Sequence, residues 1–170
     1  MKKIFLLLCM LFILPVSTQA EDTIKVGAVD LQKVVYESEA GKKAISDLEA
    51  LGKSKQSTID EKRKVIEKLQ SELEKQASAL SSEAKKNKED ELEKLFRDYQ
   101  RTVQDSQAEV KKREGELREA ILKGVLEIVA KIGEEEGYTI IIEKGSIPYS
   151  NKDVDITDNV IKKYNNSNKK

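Results

Sequence analysis

Between Val16 and Ile147 the chain contains no proline. Proline removes a backbone donor and clashes with the preceding turn, so it ends or kinks helices. A proline-free stretch this long admits helices far longer than those of a compact domain. The composition agrees. Asp, Glu, Lys and Arg make up 36% of the chain and aromatic residues only 5%, which suits a solvated helix or coiled coil better than a globule.

Apolar periodicity divides this stretch. One seam runs through Ile45, Leu48, Gly52, Lys55, Ile59, Lys62, Ile66, Leu69, Leu73, Gln76 and Leu80, with spacings of three and four. Such spacing places the side chains on one helix face. A second seam runs through Leu92, Phe96, Tyr99, Val103, Ser106, Val110, Arg113 and Leu117. Between them, Ala77–Asp90 loses the pattern, and Ser81, Ser82 and Asn87 favour a turn or cap. The reading is a helical hairpin, an arm over 42–117 with its tip near 81–90. Limbs of about 40 residues would reach roughly 60 Å. Gly52, Lys55, Lys62, Gln76, Ser106 and Arg113 interrupt the seam, so the arm is expected to be thinly cored and flexible near Gly52–Ser57. Snorkelling of the long basic chains is the plainest role for Lys and Arg there.

The two ends differ in character. Ile24–Asp30 reads as a strand, and Asp30 can cap a helix starting at Leu31. Ile121, Leu122, Val125, Leu126, Ile128, Val129 and Ile132 cover a wide arc, so this part of the helix lies in a body. Gly137 offers a left-handed C-cap, although Glu134–Glu136 sit badly at the negative end of a helix dipole. Tyr138–Lys144 reads as a strand, with Gly145-Ser146 as a hairpin turn into Ile147–Ser150, and Pro148 confines that strand to an edge. Ile156, Val160, Ile161 and Tyr164 fall at helical spacing, followed by a disordered tail at 165–170.

A lone strand must pair, and Ile24–Asp30 is the other candidate besides the C-terminal pair. The two ends are therefore expected to meet in one body, 21–41 with 118–164. Three short strands and a small helix make a marginal core. Ile140-Ile141-Ile142 imply burial on both faces. Association into a homo-oligomer answers both points and removes exposed strand edges. The expected fold class is thus mainly α with a small β hub: a long antiparallel helical-hairpin (coiled-coil) arm projecting from an oligomeric, β-barrel-like body.

The opening MKKIFLLLCMLFILPVSTQAED has two lysines, an apolar run and small residues up to Ala20. This reads as a cleavable signal peptide over 1–20 and an exported protein. Cys9, the only cysteine, leaves with it, and the chain has no histidine or tryptophan. Zinc sites of the usual Cys/His kinds and Ser-His or Cys-His nucleophile pairs are excluded. Losing Lys2 and Lys3 leaves 29 basic against 31 acidic residues, a balance that argues against a nucleic-acid partner. No phosphate loop or metal-ligand cluster appears, so no catalytic, cofactor-binding or metal residue is expected, and no cofactor.

Three stretches, "KVGAVDLQKVVYES", the long charged hairpin, and "YTIIIEKGSIPYSNKDVDITDNVIKKY", make the chain resemble the Skp/OmpH family of periplasmic chaperones. The order of the last strand, the Ile147-Pro148-Tyr149 stretch and the helix led by Asp155-Ile156-Thr157 carries most of the resemblance. It implies a periplasmic homotrimer whose three arms enclose a cavity and hold unfolded outer-membrane proteins without ATP. It also supplies a subunit number that periodicity does not. The chain departs from the family's basic character: only Lys85, Lys86 and Lys88 cluster, at the tip, where a solvated turn is the plainer role. Contact with lipopolysaccharide or membrane therefore does not carry over and stays open. Phe96 and Tyr99 are candidate contacts, with core packing the plainer role. The alternative reading is a structural or spacer coiled coil of the cell envelope.

Overall fold

The computed structural model describes residues 24–168. The signal-peptide reading falls on residues 1–20, outside the described residues. Six elements follow in order: β1 (Val26–Val29), α1 (Leu31–Glu37), α2 (Glu39–Gln76), α3 (Ser82–Glu136), β2 (Ile140–Glu143) and α4 (Thr157–Ser167).

The ends meet as expected. β1 pairs with β2 in parallel, Val26 opposite Ile140 and Val29 opposite Glu143. Parallel strands need a crossover, and here the whole of α1, α2 and α3 serves as one. On its other side Ala28 bridges Asp155, with Ile156 N donating to Ala28 O at 2.8 Å. β1 is thus the central strand, which fits the burial of Gly27, Ala28 and Val29. β2 is an edge.

The expected hairpin at Gly145-Ser146 is not formed, and Ile147–Ser150 is not a strand. Lys144–Ser146 makes a 3₁₀ turn instead, capped by Glu143, whose carboxylate accepts from Ser146 N at 3.1 Å. Pro148 brings no N–H to a ladder beside β2, and the chain leaves that edge to reach the far side of β1, where Asp155 bridges Ala28. The sheet therefore has two strands and one bridging residue, not three strands.

Asp30 caps α1 as anticipated, its Oδ1 accepting from Lys33 N at 2.8 Å. The helix does not then run on. Ser38 adopts extended φ/ψ of −65° and 156° and starts α2 as its N-cap, its Oγ accepting from Gly41 N at 3.1 Å. α1 and α2 meet at this corner so closely that a Cβ on Gly41 would lie 1.7 Å from Val35 O.

The tip is shorter than expected. Ala77–Ser81 make the turn, Ser81 caps α3 by accepting from Ala84 N at 3.2 Å, and residues 82–90 are already helical. α2 (38 residues) then spans about 57 Å. α3 ends at Gly137, which takes φ +70° as its left-handed cap. α4 continues through Ser167, so 165–167 are helix and not tail.

The core is confined to the body. Val29, Val34, Val125, Ile132, Ile156 and Val160 pack together, with Ala44 and Ile121 at the root of the arm. Tyr164 closes the cluster against Gly124, where an added Cβ would come within 2.9 Å of its ring.

Candidate functional site

The body is tied shut by a short polar chain at the turn before α4. Thr157 is 2% exposed. Its hydroxyl accepts from Asp30 N at 2.9 Å and donates to Asp155 Oδ1 at 2.5 Å. Thr157 N also donates to Asp155 Oδ1 at 3.0 Å, and Lys144 Nζ to Asp155 Oδ2 at 2.5 Å. Burial pushes the Asp155 carboxyl up, but the hydrogen bonds from Lys144 and Thr157 outweigh it and bring the pKa down to about 2. Beside it, Lys33 Nζ lies 2.9 Å from Asp158, which raises the Lys33 pKa. The Asp-Ile-Thr stretch is thus the fastening between the first strand and the last helix.

Two of the three glutamates at the end of α3, Glu135 and Glu136, find partners that offset the helix dipole. Asn159 donates to Glu136 at 3.0 Å, and Lys163 reaches Glu135 at 2.9 Å and Glu136 at 3.1 Å. Asn159 and Lys163 lower the Glu136 pKa, and Lys163 that of Glu135. Lys25 Nζ caps the helix end by donating to Glu136 O at 2.7 Å, and it sits 3.9 Å from the Tyr138 ring centroid.

Beyond the root, the arm is sparsely packed. Between residues 45 and 120 only Ile66 and Ser106 are buried. The seam holds from Leu48 to Leu73, whereas Ile45 and Gln76 at its ends are exposed. On α3, Tyr99, Val103 and Val110 are half-buried as expected, but Phe96 is 38% exposed and Arg113 is exposed. Leu95 turns inward in place of Phe96. The core-packing role expected of Phe96 therefore does not hold; its ring is available to solvent.

The seam lysines do more than snorkel. Lys55 Nζ lies 2.6 Å from Glu109, and Lys62 pairs with Asp98, both across the two limbs. The hydrogen bond from Lys62 holds the Asp98 carboxyl below its usual range. At the tip, Lys88 reaches Glu72 at 3.5 Å and Lys85 lies 3.9 Å from Glu89. Such pairs pin the register of two helices whose apolar seam is weak. Sequence spacing flags Lys55 and Lys62 as irregularities; their partners are not legible until the limbs are aligned.

Two of the grooves along the arm are lined by seam residues. One, of about 320 Å³, lies at its root and is lined by Tyr36, Ala44, Ile45, Leu48 and Leu117. The other, of about 660 Å³, lies between the limbs and is lined by Gly52, Ile59, Tyr99, Ser106 and Val110. Among the described residues no cluster of acidic or sulfur ligands could hold a metal ion, and no helix is long and apolar enough to cross a membrane.

The profile of the family described as Outer membrane protein (OmpH-like) matches residues 25–164. No curated protein sequence matches the chain significantly. The fold is similar to a crystal structure from Caulobacter crescentus, provisionally named an outer membrane chaperone (OmpH-like). The TM-score is 0.81, with 16% identity over 85% of each chain.

Proposed function

The chain belongs to the OmpH-like family, and on that premise we propose that it is a periplasmic holding chaperone. In this reading it binds unfolded outer-membrane proteins without ATP and keeps them from aggregating. The observation that carries the reading is the arm: two long, paired helices projecting from a small body, almost coreless beyond their root. A limb of that kind offers many weak contacts, mixed charge and scattered apolar side chains such as Phe96 and Ile45. Weak contacts at many points bind diverse chains and still release them. Enclosure keeps apolar segments of different clients apart.

The arms act together in a homotrimer. Association is supported by what the single chain leaves uncovered. Ile24 is 72% exposed, Ile140 on the edge strand 49%, and Tyr149 86%. A β-barrel-like hub shared among copies would cover these residues and pair the free edge of β2.

The test is dilution of an unfolded β-barrel membrane protein from denaturant, followed by light scattering. A molar equivalent of trimer should suppress aggregation. A chain lacking Gly52–Arg113 should still form the oligomeric hub, as sedimentation would show, yet fail to suppress it. Unchanged scattering with the intact chain would overturn the chaperone reading in favour of a fixed envelope spacer.

A further inference from the structure

The root groove and the groove between the limbs meet. Glu114 lines both. On α2 the shared lining follows Gly41, Ala44, Leu48, Gly52 and Ile59. On α3 it follows Ile121, Leu117, Val110, Val103 and Tyr99. Steps of three, four and seven keep each set on one helix face. Phe96, 38% exposed, lies three residues beyond Tyr99 on the same line. The two grooves form one trough, about 27 Å long from Gly41 to Ile59.

The trough exists because the seam leaves out side chains at its middle. An added Cβ on Gly52 would meet nothing within 4 Å, and Ser106 stands where a leucine would fill the gap. The floor is apolar, and exposed charges of both signs, Glu49, Glu114, Lys111 and Arg118, stand along the rim. Lys55, deeper in, is taken up by Glu109. The other flank of the limb pair at this level is charged: Asp47, Glu109, Lys112, Arg113 and Glu116 line a groove there with Leu51. A sister arm that laid this flank in the trough would bury charge on an apolar floor. An extended chain with apolar and polar residues in alternation is the complement. Its apolar side chains meet the floor, and its polar ones meet the charged rim and water. At about 3.4 Å per residue the trough takes about eight such residues. The exposed amides of Gln56 and Gln107 can pair with the backbone of that chain.

We propose that the trough seats one unfolded transmembrane strand, held extended with its lipid-facing side chains on the floor. Strands of outer-membrane barrels run to about 9–11 residues and alternate apolar with polar, so one strand fills the trough. This rests on the chaperone reading and deepens it, since what the trough recognises is alternation and not apolar content. A helix-forming segment carries its apolar residues at every third or fourth position. Drawn out straight, it turns only about half of them to one side. The trough thereby favours segments of β-barrel membrane proteins over equally apolar segments of helical ones.

The purified chain is titrated into fluorescein-labelled peptides of about ten residues, all of one composition, Leu and Tyr with Ser and Gln. One isomer alternates, one is blocked and one has helical spacing. Anisotropy should show the alternating isomer binding at least about fivefold tighter than the others, whose apolar groups cannot all reach the floor. Gly52→Leu with Ser106→Leu should fill the trough and weaken that binding about tenfold, while the urea midpoint holds or rises. Gly52→Leu alone, where a Cβ meets nothing within 4 Å, serves if the pair misfolds. A photo-crosslinking side chain in place of Gln56 should capture the alternating peptide, and one in place of Lys112, on the charged flank, should not. Equal binding of the isomers, preference for the helical one, or crosslinks from position 56 between two copies without peptide overturns the trough. Suppression of barrel aggregation by the parent chain would then still uphold the chaperone reading. Selective peptide binding without suppression would overturn that reading and leave the trough standing.

Discussion

Gly41 and Thr157 hold the body by opposite means, one by leaving out a side chain and the other by supplying a hydroxyl. Gly41→Ala would drive a methyl into the Val35 carbonyl oxygen. The α1–α2 corner would have to shift, and the expected loss is about 2 kcal/mol or more, measured by urea unfolding. Thr157→Val keeps the shape but strands Asp30 N–H and part of Asp155. A loss of roughly 1–3 kcal/mol is expected. Asp155 makes this fastening pH-dependent. Its pKa falls from an ordinary 3.8 to about 2 on folding, so its contribution is complete above about pH 4 and disappears as pH falls through 2. With 27% of the side chain exposed, solvent screening reduces the contribution to on the order of 1 kcal/mol. Parent and Asp155→Asn should therefore differ in denaturant midpoint at pH 6 and converge near pH 2. The capping role of Asp30 was legible in the sequence, because an acid before an apolar run is a recognisable start signal. The break at Ser38 carried a weaker one, a serine three residues before glycine inside a run that otherwise reads as helix. Only the packing of α1 on the body explains why the chain turns there.

The arm shows where periodicity succeeds and where it fails as a guide. It located both limbs, because a seam of Leu, Ile and Val fixes which face turns inward. It misplaced Phe96 by one residue, since the pairing of two imperfect seams is settled by whichever contacts are strongest. Ile66, at 4% exposed, is one of these. Ile66→Ala should cost about 2 kcal/mol, the lower end for such truncations in a site that can partly collapse. The loss should appear as faster amide exchange in the arm while the body stays protected. Gly115→Ala should do the reverse, slowing exchange around it and adding up to about 1 kcal/mol of local stability. The hairpin expected at Gly145-Ser146 failed for a different reason. Composition suggested a strand over Ile147–Ser150, but Glu143 caps a 3₁₀ turn over Lys144–Ser146 where the hairpin turn was expected, and those residues leave the edge of β2 unpaired. Likewise the tip lysines looked like a patch, while Lys88 is drawn to Glu72 on the facing limb.

At the scale of the whole molecule, the parallel pairing of β1 with β2 governs the order of assembly. The first strand is made more than a hundred residues before its partner, so it has nothing to pair with while the chain is growing. The hairpin needs only local contacts around Ala77–Ser81 and can zip from its tip as soon as both limbs exist. Zipping carries the two ends together and spares most of the entropy of closing so long a loop. The body is then the last part to form, a keystone set after the vault is standing. A chain interrupted before residue 140 would keep its helices yet have no sheet to anchor them.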